Sequence, residues 1–368
     1  MSQPLIVLLV FATTAAASAL FVAKSIVLSR KLGLLDQPGP RRVHPSPVPR
    51  GAGLPMYVAF CFGIALTYVV DVFRYKVETE RLLLLLAATG LLTVVMLYDD
   101  AVGLGAGIKL AWQVTAAALV VLPRLRGEDH GIVIDRFNSP FGGTVELPLL
   151  AAVGFTLFWL VGMTNTLNLL DGLDGLAGSV TLVACTVLFV HTYFWPRENP
   201  QFTISLLPAV LGGVLVGFLP FNWHPARTIM GDAGANFLGF TLAVISIIGG
   251  AKIAAALLAL GLPVLDVAWV IVYRIIHGRS PVGADRGHLH HRLLDGGWTQ
   301  PQIVGFVAGI SALFGFAALV LPTREAKLGA IGAVGIVLLT TVADLARRDR
   351  RRRATARQLA APRTSTRQ

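Results

Sequence analysis

Apolar residues fall into eleven runs, at 4–28, 52–70, 82–98, 107–123, 147–163, 177–194, 203–220, 234–250, 252–273, 302–321 and 328–346, divided by short polar or Gly/Pro-rich segments. A helix needs about 20 apolar residues to cross hydrocarbon. Each run therefore predicts a transmembrane helix, and the chain predicts an all-α polytopic membrane protein. The segment 124–146 breaks the pattern: Gly131-Ile-Val-Ile-Asp135 and Thr144-Val-Glu-Leu147 alternate around a Gly/Pro/Asn-rich turn and predict a small β-hairpin in one extracytoplasmic loop. The runs fill 1–346 as a single membrane domain, while the Arg- and Thr-rich segment 347–368 predicts a disordered tail. Ala15-Ala16-Ala17-Ser18-Ala19 resembles a signal-cleavage site, but no basic residue precedes this long run, so it reads as a retained first helix.

Composition agrees with the pattern, at 55% apolar and 14% charged residues and a mean hydropathy of +0.70. Soluble proteins carry about 25% charged residues. The net charge of +11 owes much to the run Arg347-Arg348-Asp349-Arg350-Arg351-Arg352-Arg353. By the positive-inside rule this run assigns the tail to the cytoplasm rather than to a nucleic acid. Alternating sides from there, segments 29–51, 98–106, 164–176, 221–233 and 274–301 share the tail's face. Cys61 and Cys185 sit inside apolar runs and read as packing residues, not as a disulfide or a metal site.

Those five segments carry the candidate chemistry. Polar groups placed against hydrocarbon are costly and usually functional. Asp99 and Asp100 close the run at 82–98, with Lys109 and Gln113 following in the next. As a pair they are a solvated helix end, a base with a raised pKa, or joint ligands of a cation. In Asn165-Thr-Leu-Asn168-Leu-Leu-Asp171-Gly-Leu-Asp174-Gly175, the side chains of Asn168, Asp171 and Asp174 recur every third residue. Gly172 and Gly175 predict that the helix breaks there, as in half-helix ends that line a cavity. Asp232, in Met230-Gly231-Asp232, reads either as a helix N-cap or as a further oxygen ligand. Carboxylate and amide oxygens of this kind suit Mg²⁺ or Mn²⁺ rather than zinc. His288, His290, His291 and Arg292 allow a His₃ zinc site, a solvated basic loop or a diphosphate clamp, of which the clamp best fits carboxylates on the same face. Arg42 and His44, in a proline-stiffened loop, suit either adhesion to anionic lipid heads or a specific lipid-phosphate site.

At these positions the chain resembles the polyprenyl-phosphate N-acetylhexosamine-1-phosphate transferases. The resemblance runs from about Leu35 to Leu293 through Arg41-Arg42-Val-His44 with Pro49-Arg50-Gly51-Ala52-Gly53, Asp99-Asp100 with Leu104, Lys109-Leu110 and Gln113, NTLNLLDGLDGLA, MGDAGANFLGF and HLHHRL. It implies transfer of a sugar 1-phosphate from a UDP-sugar to undecaprenyl or another polyprenyl phosphate, with release of UMP and a need for Mg²⁺, with Mn²⁺ as the other candidate. It further implies that Asn168 and Asp232 hold the metal, and that Asp99 or Asp100 accepts the proton of the lipid phosphate or orients it. Asp171 and Asp174 would serve the nucleotide, and Lys109 with the His/Arg loop would meet the diphosphate. The H-x-H-H form at 288–291 looks like the branch using UDP-GlcNAc, and the longer histidine signature of the muramoyl-pentapeptide branch is missing. Ala52 stands for a glycine usual in the first loop, and Ala233 and Ala235 for small hydroxyl residues, which weakens the detailed substrate assignment. The implied location is the bacterial inner membrane with the site on the cytoplasmic face, and a homodimer is compatible with it. A secondary transporter would place its acids near the midplane rather than at span ends, and an alcohol phosphotransferase would need a denser Asp motif and fewer spans.

Overall fold

The computed structural model describes residues 1–38, 46–70, 72–139, 143–194, 201–249, 253–276, 278, 288–321, 323, 325–341 and 344. Arg42, His44 and the tail from 347 to 368 lie outside them. The described chain is helical almost throughout, as hydrocarbon demands of a backbone that must satisfy its own hydrogen bonds. In order it forms α1 (Gln3–Leu32), α2 (Gly53–Val69), α3 (Lys76–Val102), α4 (Ala106–Val121), α5 (Leu149–Leu170), α6 (Leu176–Phe194), α7 (Phe202–Asn222), α8 (Gly231–Ile248), α9 (Ile253–Ala259), α10 (Gly261–Ile276), α11 (Leu289–Asp295) and α12 (Gln300–Val320). Residues 325–341 are helical as well.

Eight of these helices are long and apolar enough to cross a membrane, and α9 with α10 makes a ninth if the bent pair is one span. The protein is a multi-pass membrane protein. The run 252–273, expected as one span, is broken at Leu260, where the axis turns by 80°. Pro263 explains the break. Its ring and missing N–H fit the first turn of a helix better than the interior, and α10 starts afresh two residues before it, whereas α7 runs through Pro208 and Pro220.

Glycine sets the closest helix contacts. α1 packs along α7, where a Cβ on Gly213 would lie 2.8 Å from the Phe11 carbonyl oxygen and one on Gly217 would run into the carbonyl oxygen of Ala15. The buried Ser18 hydroxyl donates to the Val214 carbonyl across this seam at 2.7 Å. Small residues that bring backbones together are the usual glue between helices in lipid. α8 is the central post, buried from Ala233 to Ile247 against α2, α3, α5, α6, α7 and α9. Gly239 on α8 faces the Cα of Thr164 on α5, where a Cβ would come within 2.7 Å.

Two short antiparallel pairs complete the fold. β1 (Leu35–Asp36) pairs with β2 (Val48–Pro49), folding the first loop back on itself. β3 (Arg136–Asn138) pairs with β4 (Thr144–Glu146). The first arm of that second pair begins one residue beyond the expected Gly131–Asp135 segment. There Ile132 and Ile134 are buried, and their backbone N–H groups donate to the Val120 carbonyl and the Thr156 hydroxyl. Alternating apolar residues here plug the ends of α4 and α5 instead of forming a ladder.

Gly217→Leu should overpack the α1–α7 seam and lower the thermal unfolding temperature of detergent-purified protein, at a cost of about 1–3 kcal/mol. Gly305→Leu, on an exposed helix surface with nothing within 4 Å, should leave it unchanged.

Candidate active site

Local structure explains why the acidic side chains collect at helix ends. Gly103, left-handed at φ 78°, stops α3 within a turn of its two aspartates, its N–H returning to the Asp99 carbonyl. α8 starts at Gly231, also left-handed at φ 67°. A Cβ on Gly231 would lie 2.5 Å from the Asp100 carboxylate, so this position excludes any side chain. Asp100 instead occupies the space. Its Oδ1 accepts the Asp232 N–H at 2.9 Å and its Oδ2 accepts the Ala233 N–H at 3.2 Å, so a residue of α3 satisfies the first free donors of α8. Asp232 is thus not the N-cap that its sequence position also allowed.

The first loop supplies the counter-charge. Thr228 and Ile229 hydrogen-bond to the Pro49 carbonyl, and Ala52 N–H donates to the Ile229 carbonyl, laying residues 49–52 alongside 228–229. Arg50 thereby reaches Asp100 at 2.6 Å, Asp36 at 3.6 Å and Asp232 at 3.7 Å. Gly53 completes the approach, since a Cβ there would strike the backbone nitrogen of Gly234. From α4, the Lys109 ammonium sits 2.5 Å from both Asp99 Oδ2 and Asp232 Oδ2. Asp99 Oδ1 also accepts the Leu104 N–H at 2.5 Å. Behind them runs an amide chain: Asn165 donates to Gln113 at 2.7 Å, Gln113 to Asn236 at 2.7 Å, and Asn236 to the Asp232 carbonyl at 2.8 Å.

Asp99, Asp100 and Asp232 each offer an oxygen within 4.8 Å of the others, and among the described residues they are the one such group of three or more. Three hard oxygen donors at this spacing fit a small divalent cation. Asp171, the residue that ends α5, faces the same charges. Burial first, then the charges of Asp232 and Asp100, push its carboxyl up to about 8 against the pull of Arg50. Asn168 lies one turn earlier at the end of α5, half-buried.

The remaining expected residues divide. Asp174 is engaged within the protein: its carboxylate meets His224 Nδ1 at 2.8 Å and the Ala226 N–H at 3.1 Å. Its own N–H goes to the Gln300 amide oxygen. It ties the turn 171–175 to the loop before α8. His288 pairs with Asp266 of α10, Nδ1 to Oδ2 at 3.0 Å, and Asp266 Oδ1 accepts the Leu289 N–H at 2.9 Å. His290 stacks on His288 with ring centres 5.8 Å apart. It also lies against Gly172, where a Cβ would come within 2.5 Å of its Nε2. Burial, then His291 and His288, hold its ring down to about 3. His291 is 4.3 Å from His290, ring to ring. The histidine motif therefore adjoins the Asp171 turn.

Arg50, Asp36, Asn236 and Asp266 join the site without having been singled out for it. Asp266 carried a signal, as the lone acid inside the run 252–273. Arg50 carried a weaker one, as the cation of a segment dense in Pro and Gly.

Helix ends that gather carboxylates, amides and two cations define a site in a multi-pass membrane protein suited to charged groups. Comparison with known proteins narrows the class. The profile of glycosyl transferase family 4 matches residues 82–250. A decaprenyl-phosphate N-acetylglucosaminephosphotransferase of Mycolicibacterium smegmatis is 32% identical over 351 residues, covering 88% of this chain and 84% of the relative. Its counterpart in Mycobacterium leprae is 31% identical over 349 residues, 88% and 86% of the two chains. A Bacillus subtilis protein named "Probable undecaprenyl-phosphate N-acetylglucosaminyl 1-phosphate transferase" is 29% identical over 297 residues, 77% of each chain. The chain belongs to glycosyl transferase family 4, in its polyprenyl-phosphate N-acetylhexosamine-1-phosphate transferase group.

Gly231→Ala should cost about 1–2 kcal/mol from the left-handed backbone alone, and more from collision with Asp100. In an Asp100→Ala background the collision disappears, so thermal unfolding should show a smaller penalty for the same glycine substitution. Equal penalties in both backgrounds would refute the packing argument.

Proposed function

We propose that this protein transfers N-acetylglucosamine 1-phosphate from UDP-N-acetylglucosamine to a polyprenyl phosphate, releasing UMP and forming the lipid diphosphate sugar. The observation that carries the reading is the cluster of Asp99, Asp100 and Asp232 closed by Lys109 and Arg50. Phosphoryl transfer is mainly positioning plus neutralisation of spread negative charge, and such a site is built for both. The names of the relatives support the sugar and the lipid acceptor.

In this reading Asp232 and Asn168 would hold a Mg²⁺ or Mn²⁺ ion together with an oxygen of Asp99. When bound, the ion supplies neutralisation of charge on the diphosphate and the departing UMP. Asp100 caps the first turn of α8 and pairs with Arg50, Asp99 holds the Leu104 N–H and Lys109, and one of the two carboxylates orients the acceptor phosphate. Asp171 faces the nucleotide side. Lys109 and the His288–Arg292 segment meet the diphosphate, and Arg42 and His44 meet the lipid phosphate. The chain crosses the plasma membrane of a bacterium about eleven times, with this face in the cytoplasm where nucleotide sugars are made and the β3–β4 pair on the other side.

Purified protein given polyprenyl phosphate and a panel of UDP-sugars should release UMP with UDP-N-acetylglucosamine, stop in EDTA, and recover with Mg²⁺ or Mn²⁺. Release with none of the donors would sink the transferase reading, and full activity after thorough chelation would sink the metal role alone. Asp99→Asn and Asp232→Asn should fold and insert yet turn over at least about a hundredfold more slowly, because their charge acts in the transition state.

Topology has its own check. In a background lacking Cys61 and Cys185, a cysteine replacing Thr299 should resist an impermeant thiol reagent in intact cells, while one replacing Ser139 should react. The opposite labelling pattern would overturn the orientation.

A further inference from the structure

The two cations of the site are held differently. Arg50 is spread over three carboxylates from three segments, those of Asp36, Asp100 and Asp232. Lys109 contacts one oxygen on Asp99 and one on Asp232. One carboxylate oxygen each of Asp99 and Asp232 also belongs to the group, with one of Asp100, that is spaced to take a divalent cation. An ammonium and a divalent ion cannot share them at close range: both are positive, and repulsion between charges a few Å apart in a half-buried site amounts to several kcal/mol.

The surroundings let the lysine leave. Its side chain is 28% exposed and that of Asp232 is 23% exposed, whereas Asp99 and Asp100 are 2% and 5% exposed. Lys109 and Asp232 are therefore more open to solvent than the other two carboxylates of the cluster. The stretch joining α3 to α4 and the first turn of α4 are also loosely packed, since a Cβ on Gly103, Gly105 or Gly107 would meet nothing within 4 Å. The flexible four-carbon stem of Lys109, carried at the start of α4 just beyond them, can withdraw its head without disturbing a packed core.

We propose that Lys109 is an exchangeable internal cation: it bridges Asp99 and Asp232 until a divalent metal takes those oxygens, and the freed ammonium then stands at the mouth of the site facing the anionic substrate. This rests on the metal role given to the cluster above. It adds that the protein sets its own metal affinity, with Lys109 as the competitor that keeps binding weak before substrate arrives. No bond is made or broken in the step, only one cation exchanged for another.

Mn²⁺ binding to purified full-length protein, followed by electron paramagnetic resonance without substrates, tests this. Lys109→Met should bind Mn²⁺ about tenfold or more tightly than the wild type, the size expected for removing one unit charge from a half-buried site. Lys109→Arg should remain weak. Unchanged or weakened Mn²⁺ binding in Lys109→Met would overturn the proposal.

A measurement on the wild type guards against a variant that fails to fold. Acylation of Lys109 by an amine-reactive reagent, read by mass spectrometry, should rise when Mn²⁺ is added and stay level when Na⁺ is added to equal ionic strength. Labelling that stays level or falls with Mn²⁺ would reject the exchange. UMP release is scored separately, so a chain that exchanges cations but transfers no sugar would refute the proposed function and leave this inference standing.

Discussion

Everything in this structure turns on neutralising three aspartates at the edge of the hydrocarbon. Asp99, Asp100 and Asp232 are brought close enough to repel one another, two of them almost wholly buried. Uncompensated buried charges cost several kcal/mol each. The compensation comes from far apart in the chain: the Arg50 guanidinium from the first loop, the Lys109 ammonium from α4, and the backbone N–H groups at the start of α8. Each partner belongs to a different element, so meeting the charge requirement also fixes how those elements meet. The site here is the clasp of the fold as well as its chemistry.

Glycine is the second half of the arrangement. Gly231 yields its side-chain space to the Asp100 carboxylate, Gly53 yields to the Gly234 backbone, and Gly172 yields to His290. At all three the neighbour is a residue the site depends on. The alanines at 233 and 235 sit inside the same packed start of α8, both fully buried. A hydroxyl there would need a partner, and methyl groups need none.

Much of this was legible in the sequence. The hydrophobic runs announced the helices, since a span needs length and apolarity, and both are local properties. The carboxylate and amide clusters were legible because polar groups against hydrocarbon stand out. What stayed hidden was pairing. Nothing local says that Arg50 turns back through β1 and β2 to reach Asp100, or that the Asp174 carboxylate meets His224 and the Ala226 N–H. Periodicity suggested a strand at Gly131–Asp135, but the same alternation equally serves a segment that inserts Ile132 and Ile134 between helix ends. The bend between α9 and α10 was signalled by Pro263, yet a run of apolar residues reads as continuous unless that proline is given the weight of a helix start. Asp266 was visible and passed over, because a single acid in a long run draws less notice than a cluster.

The cap on α8 also bears on how the protein is made. A helix commonly closes its first turn with a side chain from its own neighbourhood, but here the acceptor for the Asp232 and Ala233 N–H groups is Asp100, 132 residues earlier. As the chain emerges from the ribosome, α3 is in the membrane well before α8 exists, and Asp100 waits with its charge only partly answered. When α8 arrives, its N-terminal donors and that carboxylate each lack what the other carries. Their union ties the start of the most buried helix to the end of one laid down long before it, so a single carboxylate links an early part of the chain to a late one.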